Sequence, residues 1–188
     1  MGQRSQIYLT WKPEKGEHIL IARYFQWNFA ERMISRATAL IAHLAEGIEY
    51  SFQLSDPSYK TKMERMCDVN FDMGDITLSH NIIDEYREYG NNANPADWIF
   101  RNQDNNDGQL YLAIIGGKIK YGFLDSSMES KTIMDANQYM NWDYENWKED
   151  LDKETKDTCI ENIKYIQQNA LLMTADEINE IQERAYAY

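Results

Sequence analysis

Ile7, Leu9 and Trp11 occupy every second position between Gln6, Tyr8 and Thr10, the period-two pattern of a half-buried strand. Pro13 and Gly16 supply a turn. A second apolar run then carries Ile19, Leu20, Ile21, Tyr24, Phe25 and Trp27, and the two runs are predicted to pair as an antiparallel hairpin. Here the period changes. Met33, Ala37, Leu40, Ile41, Leu44 and Ile48 fall at helical spacing, one face of a long amphipathic helix. Asn28 with Glu31 three residues later has the form of a capping box for that helix, and Gly47 or the residues soon after it mark the expected end.

Asp56-Pro57 predicts a short polar helix from 57 to 66, because a cap-type residue precedes a Pro suited to the first helical position. Val69, Phe71, Ile76 and Leu78 flank Met73-Gly74-Asp75 and predict a small hairpin or an irregular crossover. Ser79 is the expected cap of a helix burying Ile82, Ile83 and Tyr86, with Gly90 and the Asn-rich run to Pro95 beyond its end. Trp98-Ile99-Phe100, then residues 110–115 and 119–124, are separated by Asp107-Gly108 and Gly116-Gly117. Those dipeptides provide the positive φ angles of tight turns, so a three-stranded meander is predicted. The remainder reads as helical: an aromatic stretch over 139–147, a helix from 152 to about 173 with Ile160, Ile163, Ile166 and Ala170 on one face, and a final helix capped by Thr174 and Glu177.

The expected fold is therefore α+β in one domain, residues 1–188. An antiparallel sheet, built from the N-terminal hairpin and the central meander, packs on the long helix within 1–125. Residues 126–188 form a helical C-terminal region.

Charge separates these two parts. The 188 residues hold 19 Lys+Arg and 31 Asp+Glu, a formal net charge of −12. Residues 1–45 carry six bases (Arg4, Lys12, Lys15, Arg23, Arg32, Arg36) against three acids (Glu14, Glu17, Glu31). The deficit thus lies entirely beyond them, and residues 125–188 alone have fifteen acids and six bases. Such a balance argues against a general grip on phosphate backbones, which needs excess Lys and Arg. With 43% hydrophobic residues, 9 Gly and 3 Pro, disordered and collagen-like classes are excluded as well. No run of apolar residues is long enough to span a membrane, and no signal-peptide core follows Met1; Gly2 lacks the Ser or Thr at position 6 that myristoylation favours. Cys67 and Cys159 are too few and too distant for a disulfide framework, which fits a cytoplasmic protein.

Local motifs for chemistry are sparse. Asp104 to Gly108 resembles the start of a calcium loop, but Gly falls fifth and position twelve is Ile115, so a turn is expected and no metal. His18, His43 and His80 have no metal-ligand spacing, and Gly116-Gly117 precedes a strand, unlike a phosphate loop. Cys67 is readable as a nucleophile partnered by His80 or as a small buried hydrophobe, with the second favoured. No catalytic residue and no cofactor is expected. Two constellations remain. Arg4, Arg23, Arg32 and Arg36 would clamp an anion if they converged, since guanidinium forks hold carboxylates and phosphates bidentately. Tyr139, Trp142, Asp143, Tyr144, Glu145, Trp147, Glu149 and Asp150 alternate aromatic and acidic groups, suited to meeting a basic groove on a protein partner. The bland alternatives are ion pairs for the arginines and core packing for the aromatics.

The opening residues Met1 to Tyr8, the run Ile21 to Asn28 with Glu31 to Arg36, and Gln103 to Gly108 with Lys118 to Tyr121 resemble a group of uncharacterised proteins of phages, prophages and other mobile elements in low-GC Gram-positive bacteria. The resemblance spans most of the chain and brings no catalytic residues with it. What it implies is a context in which small acidic proteins block host defences, CRISPR nucleases among them, by occupying nucleic-acid channels. The expectation is accordingly a stoichiometric, anti-CRISPR-like inhibitor in the bacterial cytoplasm. It would bind a basic, nucleic-acid-binding defence protein of the host and would not bind nucleic acid or membrane directly. The alternative is a small enzyme or ligand-binding protein holding an anionic small molecule with its arginines.

Overall fold

In a computed structural model of the chain, residues 3–68, 79–101, 106–125 and 132–184 are described. The hairpin expected at the start is present: β1 (Arg4–Trp11) pairs antiparallel with β2 (Ile19–Gln26), Leu9 opposite Ile21. After it come α1 (Ala30–Glu49), a 3-10 turn (Ser51–Ser55) and α2 (Pro57–Asp68). β3 (Ser79–Asn81) adds to β2 and leads into α3 (Ile82–Tyr89). A second hairpin joins β4 (Gln109–Ile115) to β5 (Lys118–Leu124) through Gly116 and Gly117, whose φ angles of 58° and 73° suit glycine. The chain continues through β6 (Ile133–Met134), α4 (Ala136–Asp143), α5 (Trp147–Asp150), α6 (Lys153–Asn169), β7 (Leu171–Leu172) and α7 (Ala175–Glu183).

The fold is α+β, with a mostly antiparallel sheet ordered β3-β2-β1-β4-β5-β6, and β7 also on β5. Two hairpins form the centre of this sheet. They meet where β1 lies parallel to β4, a pairing that the long helical crossover between β2 and β4 permits. Trp98-Ile99-Phe100 is not the first strand of the meander; it lies in a π-helical turn (Asp97–Arg101), and the third strand beside β4 and β5 is instead the two-residue β6. The predicted hairpin around Met73-Gly74-Asp75 lies outside the described residues.

Helices cover both faces. Ile7, Leu9 and Trp11 point to a core shared with α1, α2, α4 and α6, while Tyr8, Leu20, Ala22 and Tyr111 point to a second core closed by α3, the turn at 97–101 and α7. Hence β1 is buried on both sides rather than half-buried: Gln6 and Tyr8 are 0% exposed and Thr10 3%. Tyr8 fits an apolar layer because its hydroxyl donates to the Ile99 carbonyl at 2.7 Å and its ring packs 4.6 Å from Phe100 and 4.9 Å from Tyr111. Tyr139, Trp147, Ile163 and Ile166 belong to the same core as Ile7, so the acidic C-terminal helices complete the domain.

Three helix boundaries differ from expectation. Asn81, not Ser79, caps α3, accepting from the Ile83 and Asp84 amides; Ser79 is taken up by pairing in β3. The helix from 153 stops at Asn169 because the next residues hydrogen-bond along β5, and the Met173 amide reaches the Tyr121 carbonyl at 2.7 Å. α1 begins without a side-chain cap from Asn28. It ends at Glu49, soon after Gly47 as expected, and Gly47 serves a close approach: a Cβ there would sit 2.3 Å from Tyr59 Oη and 2.8 Å from Leu54. Tyr59 needs that space to donate to the His43 carbonyl at 2.7 Å. Gly47→Ala is therefore expected to destabilise by about 1–3 kcal/mol, the overpacking outweighing a helix-propensity gain of about 1 kcal/mol, as read from urea unfolding.

Candidate functional site

The acidic and aromatic run divides sharply once folded. Tyr139 and Trp147 are 0% and 1% exposed, Tyr139 stacked 4.3 Å from Phe123 and Trp147 donating to Asn141 at 3.0 Å, so neither ring is presented to a partner. Tyr144 is half-buried against the core. Trp142 stands at the surface at 38% exposure, with Glu145, Glu149 and Asp150. α6 is acidic on its exposed side as well. Glu154, Asp157 and Glu161 are exposed at steps of three and four, while Cys159, Ile163 and Ile166 are buried on the opposite side of the helix. Lys153 pairs with Asp157, and the Lys156 ammonium donates to the Lys148 carbonyl at 2.9 Å. From 145 to 161 the surface thus carries Glu145, Glu149, Asp150, Asp152, Glu154, Asp157 and Glu161 against Lys148, Lys153 and Lys156.

Asp143 behaves differently from its neighbours. It sits at the end of α4, its carboxylate turned inward to accept from the Ala30 amide at 2.7 Å, where it supplies the cap that Asn28 does not. The Tyr139 hydroxyl lies 3.0 Å from the same oxygen and 3.0 Å from the Asp107 carbonyl. Asp107 in turn takes the Arg4 amide, and its carboxyl hydrogen-bonds with Asp143. Two carboxyls can share such a bond only if one is protonated. Burial, then the Asp107 charge and Glu31, push Asp143 up to about 7, against the pull of the Ala30 amide and Tyr139; burial also raises Asp107. This clasp ties the start of β1, the loop before β4, α4 and the strained junction before α1, where Trp27 and Ala30 have φ of 64° and 43°. Its partners are all groups of the protein itself, and its chemistry is structural.

The four arginines are each drawn into contacts of their own. Arg36 is 3% exposed, donates from Nε to Asn28 Oδ1 at 2.9 Å and from Nη1 to the Cys67 carbonyl, and lies 4.8 Å over the Phe25 ring. Arg23 reaches Asp68 at 2.5 Å and Ser79 at 2.9 Å. Arg32 donates to the Trp27 carbonyl at 3.3 Å and lies over Phe29, and Arg4 anchors Asp107 through its amide. Cys67 is fully buried, its thiol pushed up to about 12 by burial, while His80 stacks 4.7 Å from Tyr24 and meets Glu85 at 3.3 Å. These positions match the buried-hydrophobe reading of Cys67. Asp104 lies outside the described residues. Among the described residues, no group of three or more His, Cys, Asp and Glu is placed to hold a metal ion, and no helix is long and apolar enough to cross a membrane.

Sequence reasoning missed the Asp107–Asp143 clasp and the Asn28–Arg36 bond. Asp107 carried a signal for a turn only, and nothing local in 139–150 distinguishes Asp143 from the exposed acids beside it. Fold and geometry together define an α+β domain with an acidic helical face, and no family model, curated protein or solved structure matches the chain.

Proposed function

We propose that this chain is a binding protein that docks the acidic face of residues 145–161 onto a basic, nucleic-acid-binding surface of a partner protein and blocks it. The observation that carries this reading is the exposed stripe of Glu154, Asp157 and Glu161 opposite the buried side of α6, following the exposed Glu145, Glu149 and Asp150 in the chain. Carboxylates on a rigid helix form a fixed negative surface, which steers a basic partner and excludes the nucleic acid that would compete for the same groove. Trp142, three residues before Glu145, adds an exposed aromatic of the kind that anchors interfaces. A mobile-element inhibitor of host defence, including an anti-CRISPR, is the particular form of this activity that the sequence resemblance suggests.

Glu154→Lys, Asp157→Lys and Glu161→Lys combined test it. Surface substitutions of this kind change stability by roughly 0.5 kcal/mol or less each, so the variant should melt close to wild type. Immobilised wild-type chain should recover from a host lysate, at low salt and not at high salt, a nucleic-acid-binding protein that added nucleic acid displaces; the variant should recover none of it. Equal recovery by the variant, or a partner without a basic surface, would refute the reading.

A further inference from the structure

A cavity of about 360 Å³ opens between the β1–β2 turn and α7, on the face of the sheet opposite α6. Lys12, Glu17, His18 and Arg184 line it, with Leu20 and Ile181 as its apolar wall. Its volume falls at the small end of the range for small-molecule sites, and its lining has their usual composition, an apolar wall with a few convergent polar groups. We infer that this cavity binds a small amphipathic anion, a carboxylate or phosphate ester whose charged end meets Lys12, His18 and Arg184 and whose apolar part lies on Leu20 and Ile181.

The electrostatics support an anion rather than another ligand. Arg184 Nη1 lies 3.4 Å from His18 Nδ1, and since a guanidinium nitrogen only donates, the His18 nitrogen accepts and the ring is neutral in this arrangement. Burial, then Arg184 and then Lys12, lower the His18 pKa below its ordinary value, whereas a bond to the Trp11 backbone acts weakly the other way. The Arg184 and Lys12 cations thus disfavour the charged form of the His18 ring, and an anion in the cavity would favour it. The acids facing the group are Glu17 on the turn and Glu180 on α7, the latter 3.4 Å from the other Arg184 amine. A neighbouring cavity of about 370 Å³ shares Gly16, Glu17, His18 and Leu20 with it and adds Lys15, Lys60 and Arg87 against Asp56 and Asp84.

The site is separate from the acidic face, so the test does not depend on the proposed inhibitor function. The imidazole resonances of the full chain are titrated with pH at constant ionic strength, in chloride, in inorganic phosphate and in phenyl phosphate, with His18→Gln supplying the assignment. An anion that binds here must raise the His18 midpoint, by about half a pH unit or more when saturating, because it stabilises the imidazolium. Phenyl phosphate should saturate at lower concentration than inorganic phosphate and raise Tm, and its affinity should increase as pH falls through the His18 titration. Arg184→Gln and Lys12→Gln should each weaken it about fivefold or more, as expected for loss of one charge-assisted contact. Lys12 is exposed on the turn, so its variant folds even if the Arg184 variant does not. A His18 midpoint unmoved by both anions, shifts of equal size at His43 and His80, or undiminished affinity in Lys12→Gln would overturn the assignment.

Discussion

Raising the pH from 5 to 8 is expected to reduce stability through Asp143 by roughly 2 kcal/mol, and Asp143→Asn is expected to abolish that loss. The sign follows from proton counts. Folding lifts Asp143 to about 7 from an ordinary value near 3.8, chiefly by burial. Between those two values the folded chain holds a proton that the unfolded chain has released, so stability falls as pH rises and the penalty is complete above about 7. The groups facing the carboxyl are Asp107 from the loop before β4, Glu31 and the Ala30 amide from α1, and Tyr139 from α4. His18 acts in the opposite sense over part of this window. Its folded pKa is lowered, so the unfolded chain binds the extra proton and stability rises with pH through its titration. The variant separates the two effects. Asparagine keeps an acceptor for the Ala30 amide and offers Asp107 a donor, reproducing the protonated form at every pH. Urea unfolding should therefore show wild type and Asp143→Asn alike at pH 5 and the variant more stable at pH 8. Asp143→Ala removes the cap on α1 and should lose about 1–2 kcal/mol at pH 5, a deficit that disappears by pH 8, where the wild type bears the cost of ionising Asp143. A wild-type profile that keeps its decline in Asp143→Asn would place its source elsewhere.

The elements legible in the sequence are those whose signal is local. The hairpin of β1 and β2, the buried face of α1, the Gly116-Gly117 turn and the Thr174–Glu177 capping box all depend on spacing within a few residues, and each forms where its spacing puts it. What stayed hidden depends on contacts between distant segments. β1 reads as half-buried because Gln6, Tyr8 and Thr10 alternate with apolar residues, yet a second helical layer covers that side. Asn28 has the right residue three positions before Glu31, but Ser5 and Arg36 claim its side chain, and Asp143 arrives from more than a hundred residues away to cap α1. The aromatic run of 139–147 illustrates the same limit at the candidate site. Acid and aromatic positions alternate without helical period, so only the folded chain sorts Tyr139 and Trp147 inward and leaves Trp142 and the acids outside.

Arg36→Ala is expected to cost about 3–5 kcal/mol, against about 0.5 kcal/mol or less for Arg32→Ala one turn earlier on the same helix. Both arginines lie in a pattern that suggests surface ion pairs. Burial decides the difference: Arg36 is 3% exposed, whereas Arg32 remains partly accessible and donates to the Trp27 carbonyl at 3.3 Å. The buried guanidinium is matched on three sides. Its Nε satisfies Asn28, its Nη1 satisfies the Cys67 carbonyl near the negative end of α2, and its plane lies 4.8 Å from the Phe25 ring. Truncation leaves Asn28 Oδ1 and that carbonyl without their donor and opens a cavity among Phe25, α1 and α2. Arg36→Lys should recover only part of the loss, because one ammonium on a flexible stem cannot reproduce a fork directed at two acceptors. Asn28 also bonds Ser5 and contacts Met33 Sδ at 3.3 Å, so the arginine, the β2–α1 junction and the first strand form one network. A double-mutant cycle of Asn28→Ala and Arg36→Ala in urea should then give a coupling of at least about 1 kcal/mol. Additive costs, or an Arg36→Ala loss no larger than that of Arg32→Ala, would show that α2 is held to α1 by apolar packing through Tyr59, Met63 and Cys67 alone.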